Sequence, residues 1–507
     1  MDWLVYLLIA GIVVLPLIFM MTSAAFANFW PHNLSTYTLV AFGGAWLAAL
    51  VTLGQVIFNG PFNFTLVSLP QTPLFGFLAD RVSVILLLLV ITVSGIVHLY
   101  SIRAMQEERH FSRYFTLLTM VTLEVLLVVL ANNLLMLGIF WILKGFTLTF
   151  LLAHYQNRPA SWQAAFKKLR ADLVGATSFS VALFMTWNLF GTFDIHTINT
   201  IATEKPQTLP IEQTTLLTVL LLLAAMVKSA QFPLHGWLPQ SVEAPTPVSA
   251  LMHAGLINAG GFLLIRLSPL FVATPLTLVL AVVIGGFTAI YATTIMRTRS
   301  DVKGMLVYST MGQMGFMLLE CGLGAFGLAM LHIVAHGLYK ATLFLGAGNI
   351  IQQKALDQHL IPAHKNTSQL PVIRVIGVVV LALLLLALPP ALGFSVNSST
   401  ILLAFAWITL IYSVPALKKL SPIKFFAGIS GLIVLYVIGI HTIEGFFKQA
   451  VAANPALNAA LVYAICGILI LIGTVAIVFQ SSHKPVWINK FFTTIYVRTL
   501  FIGYNGK

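Results

Sequence analysis

Three lysines interrupt otherwise apolar stretches of this chain, and they mark where charge chemistry is expected. Lys228 ends the run LLTVLLLLAAMVK and is soon followed by Pro233, while Lys144 and Lys340 also lie within apolar runs. A lysine at bilayer depth costs about 2.5–3.5 kcal/mol on insertion scales, so it usually faces protein or water and serves a function. Proline breaks a helix and frees backbone carbonyls for a cation or for water. The pattern is typical of a protein that moves charge through a membrane, although Lys228 could instead snorkel from a helix end.

A row of basic side chains follows further along. His332, His336 and Lys340 are spaced four residues apart, which places them on one face of a helix. Neutral imidazole relays protons near physiological pH, and desolvation brings lysines in general towards the same range. The histidine pair could instead bind a metal, but no nearby cysteine or carboxylate is expected to complete a ligand set, and Lys340 would repel the ion. His253 would connect Lys228 to this row, and plain packing of these side chains is the alternative.

Glu124 lies in the middle of an apolar segment and cannot reach the membrane surface. It is roughly 12 Å from the nearer helix end at about 1.5 Å per residue. A buried carboxylate must be neutral or paired, so we expect Glu124 to meet Lys144 or Lys228. A protonated carboxyl that is hydrogen-bonded across helices is the alternative.

The composition assigns the fold class. Hydrophobic residues make up 59% of 507 positions and charged residues only 8%, whereas a soluble domain carries about 25% charge. Apolar runs such as SVILLLLVITVSGIVHLY lack the alternation of a barrel strand. The sequence therefore predicts an all-α polytopic membrane protein with about 15 transmembrane helices. Cys321 and Cys466 both lie in apolar stretches, which leaves no disulfide framework and no cysteine-ligated metal.

Lysine and arginine predict the orientation of the chain. Most of the 27 basic residues, Lys168 among them, fall in loops after odd-numbered predicted spans or in the tail, whereas Arg266 belongs to the sparse opposite loops. Basic loops stay on the cytoplasmic side, so we predict an external N-terminus and a cytoplasmic C-terminus in a bacterial inner membrane. The net charge of +13 is then a topology signal, and no clustered basic patch indicates nucleic acid as a partner.

Two predicted spans contain helix-breaking prolines. Span 7 breaks at Pro233, and span 12 breaks at Pro389-Pro390. Such a pair indicates two inverted repeats with ion sites near the midplane, although membrane helices also tolerate proline for other reasons. The predicted organisation is N-terminal helices at 1–110, a first antiporter-like repeat at 111–270, a second at 271–420, and C-terminal helices with a basic tail at 421–507.

Three segments carry a family resemblance. They are KSAQFPLHGWLPQSVEAPTPVSALMHAGLINAGGFLLIR at 228–266, DVKGMLVYSTMGQMGFM at 301–317 and LHIVAHGLYKATLFLGAG at 331–348. They resemble the antiporter-like membrane subunits shared by respiratory NADH:quinone oxidoreductase and multisubunit cation/proton antiporters. Supporting matches are Asp80, His98–Tyr100, Ser112-Arg113, Asn132-Asn133-Leu134, Trp141, Gly145 and Asp172. The resemblance, together with the buried positions argued above, implies an ion path through Lys228, His253, His332, His336, Lys340, Glu124, Lys144 and Asp172.

The chain departs from this family at two positions that matter for the path. Relatives place a glutamate directly after the tryptophan of span 5, where it pairs with the lysine of span 7, but this chain has Ile142 after Trp141. We expect Glu124 and Lys144 to replace that pairing. Relatives also carry a lysine beyond the second broken helix, whereas the segment GFSVNSSTIL at 393–402 has no charge.

A shortened family member with these departures looks most like the membrane subunits of inorganic-carbon accumulation complexes. That resemblance implies a cation-translocating subunit, with H⁺ the expected ion, which energises CO2 or bicarbonate uptake by a large peripheral, zinc-containing, carbonic-anhydrase-like partner. It also implies that zinc belongs to the partner and that this chain holds no cofactor.

Two other functions fit the same family. The chain could be the proton-translocating L-type subunit of NADH:quinone oxidoreductase, or a subunit of a multisubunit cation/proton antiporter. It carries no iron–sulfur cluster ligands and no nucleotide motif, so we expect no catalysis by this chain alone.

Overall fold

A computed structural model gives the fold. The described residues are 8, 10–29, 33–69, 72–296, 298–299, 301–356, 442, 445–447 and 450–452. Predicted spans 12–15, the Pro389-Pro390 break and the segment 393–402 lie outside the described residues. The two predicted repeats and the C-terminal domain therefore stay predictions as units.

The described part of the chain is mostly helical, as its composition predicts, because a helix satisfies every backbone group within its own segment. The helices are α1 (Leu15–Phe29, after a π-helical turn at Ala10–Val14), α2 (Leu34–Asn59), α3 (Arg81–Ala104), α4 (Phe111–Leu130), α5 (Leu134–Leu152), α6 (Pro159–Phe190), α7 (Ile195–Glu204), α8 (Ile211–Lys228), α9 (Thr246–Ala254), α10 (Ala259–Arg266), α11 (Ser268–Val272), α12 (Pro275–Met296), α13 (Val302–Gly322) and α14 (Phe326–Leu356). Short 3-10 turns lie at Pro206–Thr208, Pro239–Glu243 and Leu256–Asn258.

Nine helical segments of the described chain are long and apolar enough to cross a membrane. Each of the first eleven predicted spans corresponds to a helix, and α9 and α10 together form the eighth. The predicted class of polytopic helical membrane protein is confirmed. The predicted total of about 15 spans is not tested, because the last four lie outside the described residues.

A β-hairpin between α2 and α3 is the one sheet of the described residues, and the sequence did not predict it. Strands β1 (Phe62–Leu69) and β2 (Thr72–Ala79) pair antiparallel. Asn132 holds the hairpin against the bundle, since its side-chain Nδ2 donates to Asn63 Oδ1 at 2.8 Å. The adjacent Asn133 caps α5 by accepting from Met136 N at 2.7 Å. The two asparagines thus fix the start of the helix that carries Lys144.

Helix α8 ends at Lys228, as the following proline predicts. The carbonyls freed by the break have protein donors: Met226 O accepts from Gln231 N at 2.9 Å, and Val227 O accepts from Trp237 Nε1 at 3.0 Å. The break is therefore a defined turn, and these two carbonyls are not open for a cation.

A second interruption separates α9 from α10, and the sequence did not predict it. The chain tightens into a 3-10 turn after Gly255, and Asn258 Nδ2 donates to Ala254 O at 2.8 Å. Side-chain amides commonly occupy the backbone groups that such a break frees. This turn places irregular backbone beside the middle of the bundle.

Arg266, at the end of α10, ties this broken span to α3. Its Nη1 donates to Asp80 Oδ2 at 2.5 Å, and its Nη2 donates to Ser83 Oγ at 2.6 Å. Asp80 also caps α3 by accepting from Ser83 N at 2.7 Å. Arg266 had been assigned to a loop from its position in the sequence, but it is buried and paired because a charge within the bundle needs a partner.

Candidate ion path

A buried cluster of two lysines and one aspartate joins α6 to α8. Lys228 Nζ donates to Asp172 Oδ1 at 2.9 Å, and Lys168 Nζ donates to the other oxygen, Oδ2. The three residues are 7%, 8% and 2% exposed for Lys228, Asp172 and Lys168. Both oxygens of one carboxylate are thus engaged by cations, which is the arrangement that keeps buried charges tolerable.

Helix geometry explains how these side chains meet. Lys168 and Asp172 lie one turn apart on α6, so they share a face. Lys228 is the last residue of α8, where the negative end of the helix dipole favours a cation. The Trp237 ring lies 5.0 Å from Lys168 Nζ and shields the cluster on that side.

Gly145 of α5 lets the cluster form. A Cβ atom at this position would lie 2.8 Å from Asp172 Oδ2 and 2.8 Å from Lys228 Nζ. Real Cβ atoms essentially never approach that closely, so any other residue at this position would force the side chains of the ion pair to shift. The family match at Gly145 therefore has a steric cause here.

The predicted pairing of Glu124 is wrong. Within the described residues Glu124 forms no ion pair with Lys144 or Lys228; its Oε1 accepts from Thr147 Oγ1 at 2.8 Å. Asp172 takes the lysine of α8 instead. Ile142, at the position of the family's glutamate, lines a small cavity together with Asp172 and Lys228. Asp172 therefore supplies the negative charge that an apolar side chain at 142 cannot.

Lys144 is buried without a hydrogen-bond acceptor in the described structure. Its Nζ lies 4.4 Å from the centre of the Trp141 ring, which offers the negative face of a π-system. Glu124 Oε2 is likewise buried and has no partner among the described residues. The two residues predicted to replace the missing glutamate thus lie beside the cluster without closing an ion pair of their own.

Lys168 is assigned to a loop from the sequence, and that assignment is wrong, because Lys168 lies within α6. Helix α6 begins at Pro159 and has 32 residues, so it extends about 48 Å at 1.5 Å per residue. That length exceeds the hydrocarbon thickness of about 30 Å, so the helix is long enough to include polar first turns in addition to its apolar part. The four-residue spacing to Asp172 is the sequence signal that could have identified the pair.

The basic row lies in α14, as predicted, and a carboxylate of α13 joins it. His332 Nδ1 lies 2.9 Å from Glu320 Oε2, and the His332 and His336 ring centres are 6.1 Å apart. The position of Glu320 beside the histidines was not anticipated from the sequence. The described residues nevertheless contain no group of three side chains placed to hold a metal ion. Glu320, a carboxylate in the span before the row, was the signal in the sequence that could have identified this contact.

Lys340 of the row, and His253 on α9, contact mostly neutral groups. Lys340 is fully buried; its Nζ donates to Ser309 Oγ at 2.8 Å and to Leu306 O at 3.2 Å. His253 stacks on Phe344, with ring centres 4.4 Å apart. Neither ring nitrogen of His253 or of His336 has a partner among the described residues. These side chains can accept and donate protons through water, which is the chemistry their types predict.

Water-sized cavities accompany the charged groups. One is lined by Lys144, Lys168, Lys228 and Trp237, and a second is lined by Lys144, Asn258 and Ile333. The first cavity is lined by three lysines and can hold water that hydrogen-bonds to otherwise unpaired groups, whereas the walls of the second are mostly apolar apart from Lys144 and Asn258. The structure therefore brings together the predicted residues of the first half around Lys228, and those of the second half along α14.

Comparison with known proteins identifies the family. Residues 131–418 match the family described as "NADH:quinone oxidoreductase/Mrp antiporter, TM". Residues 72–115 match "NADH-Ubiquinone oxidoreductase (complex I), chain 5 N-terminus". The chain belongs to the NADH:quinone oxidoreductase/Mrp antiporter family, and it is an antiporter-like, cation-translocating membrane subunit.

Among curated proteins, the chain is 37% identical over 405 residues to "Probable inorganic carbon transporter subunit DabB1" of Halothiobacillus neapolitanus. The match covers 76% of this chain and 72% of that protein. It is 38% identical over 278 residues to "NADH-ubiquinone oxidoreductase chain 5" of Allomyces macrogynus, covering 55% of this chain and 43% of that one. The chain thus spans less than half of this respiratory relative.

Two solved structures share the fold. The Mrp complex from Dietzia sp. DQ12-45-1b matches with a TM-score of 0.58 and 20% identity, over 99% of this chain and 55% of that chain. A membrane-bound sulfane sulfur reductase, an archaeal respiratory membrane complex, matches with a TM-score of 0.61 and 17% identity, over 98% and 96%. Both of these solved proteins are membrane complexes, and the DabB1 relative is likewise named as a subunit of a transporter.

Proposed function

We propose that this chain translocates protons to energise the uptake of inorganic carbon. The observation that carries the proposal is the 37% identity to the DabB1 relative, which extends over 76% of this chain and 72% of that protein. The apolar residue at 142 departs from the glutamate that the family resemblance leads us to expect in respiratory relatives, and in this chain Asp172 is the partner of Lys228. Buried lysines beside small cavities, as the described residues show them, favour ion transport as the role of this chain.

The proposed path has two parts. Lys228 and Asp172, with Lys168, form a charged part at the break of α8. The row on α14 forms a second part, in which imidazole and amine groups pass protons through water. The proposed ion-path residues are Lys228, His253, His332, His336, Lys340, Glu124, Lys144 and Asp172, to which the geometry adds Lys168 and Glu320.

The proposal extends to partners and location. A large peripheral, zinc-containing, carbonic-anhydrase-like subunit would hydrate CO2, and this chain would supply the ion flux without a cofactor of its own. We place the complex in a bacterial inner membrane with the N-terminus outside and the C-terminus in the cytoplasm, in agreement with the basic loops.

Growth at ambient CO2 tests the function. The chain would be expressed with its neighbouring genes in a host that lacks carbonic anhydrase, which does not grow in air. We expect growth to be restored, and we expect a protonophore to abolish accumulation of labelled inorganic carbon while ATP is held constant. Accumulation that persists with the protonophore and stops with a sodium ionophore would replace H⁺ by Na⁺. Failure to rescue with a well-expressed complex would contradict the proposal.

A respiratory role is the second candidate, and the similarity to NADH-ubiquinone oxidoreductase chain 5 supports it. In that case the chain would restore NADH-driven proton pumping to a strain without its L-type subunit. An antiporter role would instead restore growth of a salt-sensitive strain. The same expression plasmid in three hosts therefore separates the three functions.

A further inference from the structure

Lys144 lies between the two parts of the proposed path, and two cavities meet at its side chain. Lys228 and Lys168 line the cavity on one side of Lys144, while Asn258 and Ile333 line the cavity on the other. Leu256, in the 3-10 turn between α9 and α10, borders both. Water in these cavities would contact the Lys144 amine from either side.

Glu124 lies on the helix that faces Lys144. Thr147, one turn beyond Lys144 on α5, donates to Glu124 Oε1 at 2.8 Å. The second oxygen, Oε2, is buried and unpartnered among the described residues, as are Lys144 Nζ and Asn258 Oδ1. A buried unpaired polar atom costs about 1–3 kcal/mol, so Lys144 and Asn258, which both line the second cavity, would be satisfied by water bound there.

Beyond the second cavity the chain reaches the histidine row. Ile333, which lines that cavity, lies one turn before His336 and Gly337 on α14. A Cβ atom at Gly337 would lie 2.7 Å from Ala254 O, so α14 packs directly against the break after α9. This close approach brings the row beside the turn that Lys144 faces across the cavity.

We propose that Lys144 and Glu124 form a proton-transfer station that connects the Lys228 cluster to the row on α14. The proposal rests on the proposed function and adds the order of the path. A proton leaves the Lys144 ammonium for a water molecule, and that water gives one of its own protons to Glu124 Oε2. The pair passes from ammonium and carboxylate to neutral amine and neutral carboxyl. The carboxyl proton then moves through water towards Asn258 and the row, which restores the carboxylate.

The station explains why this chain places a lysine and a carboxylate where the family's glutamate is missing. Asp172 already neutralises Lys228, so a further carboxylate is not needed for pairing. Among the described residues, Glu124 is held by a neutral hydroxyl and Lys144 by an aromatic face, and neither forms an ion pair there. Groups held in this way can change protonation state without breaking a salt bridge.

Proton flux in vesicles tests the station. The full chain would be expressed with its partner subunits, and flux would be followed with a pH-sensitive dye under an imposed membrane potential. We expect Lys144→Met and Glu124→Gln each to reduce flux at least about tenfold, the size of effect that loss of a positioned proton donor or acceptor produces. Lys205→Met, at an exposed lysine, is the matched control and should leave flux unchanged. Flux within twofold of the unaltered chain in both variants would overturn the proposal.

Two further variants separate proton transfer from packing. Leu256→Trp fills the space between the cavities without removing a titratable group, and we expect it to reduce flux as strongly as Lys144→Met. Thr147→Val removes the hydrogen bond to Glu124 but keeps the carboxylate, and we expect a smaller loss. A Leu256→Trp complex that folds and conducts normally would contradict the path through these cavities.

Infrared spectroscopy separates failure of the station from failure of the proposed function. The carboxyl stretch lost in Glu124→Gln should shift in D2O, because the station is hydrated, and it should change in Lys144→Met. If the unaltered chain carries no proton flux, the proposed function fails while this spectrum still decides the station. A Glu124 carboxyl that does not exchange with D2O, or is indifferent to Lys144→Met, overturns it.

Discussion

The two parts of the candidate path stabilise their lysines by different means. In the first part, Lys228 and Lys168 share the carboxylate of Asp172. In the second part, the acceptors of Lys340 within the described residues are a serine hydroxyl and a backbone carbonyl. An ion pair holds a charge in place, whereas neutral acceptors let an amine lose its proton without leaving an opposite charge behind. The difference indicates that the first part fixes charge and the second part exchanges it.

The two parts of the path also differ in how their side chains are brought together. The charged cluster joins two helices, α6 and α8, and the absence of a side chain at Gly145 of α5 leaves space for it. The row on α14 needs only helical periodicity, with Glu320 added from α13. A cluster assembled across helices depends on close packing, so its variants should affect stability and transport together. Variants of the row should affect transport more than stability.

Removal of the shared carboxylate should have the largest effect. Asp172→Asn leaves Lys168 and Lys228 buried without a counter-charge, and breaking a buried ion pair costs about 3–5 kcal/mol. We expect transport to be lost and the melting temperature of the detergent-solubilised complex to fall. Asp194→Asn, at a helix cap that asparagine also satisfies, is the matched control. A normal melting temperature for Asp172→Asn would refute the ion-paired cluster.

Removal of each lysine in turn tests the comparison directly. Lys228→Met and Lys340→Met should both abolish rescue of growth at ambient CO2, because both lie on the proposed path. Their stabilities should differ: Lys228→Met disturbs an ion pair, whereas Lys340→Met removes a buried charge that has no charged partner within the described residues. An apolar side chain at this position removes the desolvation cost of a buried unpaired charge, so we expect the melting temperature of Lys340→Met not to fall. Equal melting temperatures for the two variants would remove the proposed difference between the parts.

A single methyl group at Gly145 should have a smaller but measurable effect. Gly145→Ala places its Cβ atom 2.8 Å from both Asp172 Oδ2 and Lys228 Nζ, so the ion pair must shift. Overpacking of this kind costs about 1–3 kcal/mol, and we expect transport to fall with it. Gly54→Ala, where a Cβ atom meets nothing within 4 Å, is the control. If both variants behave like the unaltered chain, the close approach at Gly145 is not needed.

The sequence predicted the class of fold and the buried lysines well, because both follow from hydropathy. Runs of apolar residues define spans, and an isolated lysine within one is conspicuous. The break after Lys228 was also predictable, since proline acts locally. The second break, at the 3-10 turn after Gly255, has no proline at its centre and was missed.

The partners of the charged groups could not be predicted in the same way. Pairing depends on which helix faces lie opposite each other, and the distances between helices cannot be read from a single sequence. Glu124 was therefore predicted to pair with a lysine. In the structure it accepts a hydrogen bond from Thr147 instead, and Lys228 pairs with Asp172. Lys168 was missed because a polar stretch next to a membrane segment looks like a loop until the length of α6 is known. The β-hairpin was missed because apolar strands beside apolar helices share one hydropathy signal.

The smallest expected effect lies in the second part, at the hydroxyl that holds Lys340. Ser309→Ala removes the 2.8 Å hydrogen bond from Lys340 Nζ and leaves only the 3.2 Å bond to Leu306 O. A hydrogen bond to a charged group contributes about 1.5–3 kcal/mol, so the amine should be less well positioned for exchange with the row. We expect proton flux to fall by up to about tenfold, with little change in melting temperature.

Ser249→Ala is the matched control for this variant, because the Ser249 hydroxyl is buried and has no hydrogen-bond partner among the described residues. Both substitutions remove one hydroxyl from a helix, but only one removes a contact to a lysine. If the second part exchanges protons through a neutrally held amine, Ser309→Ala should slow flux while Ser249→Ala does not. Equal flux in the two variants would show that the position of the Lys340 amine does not limit transfer, and the contrast between a charge-fixing and a charge-exchanging part would then rest on Asp172 alone.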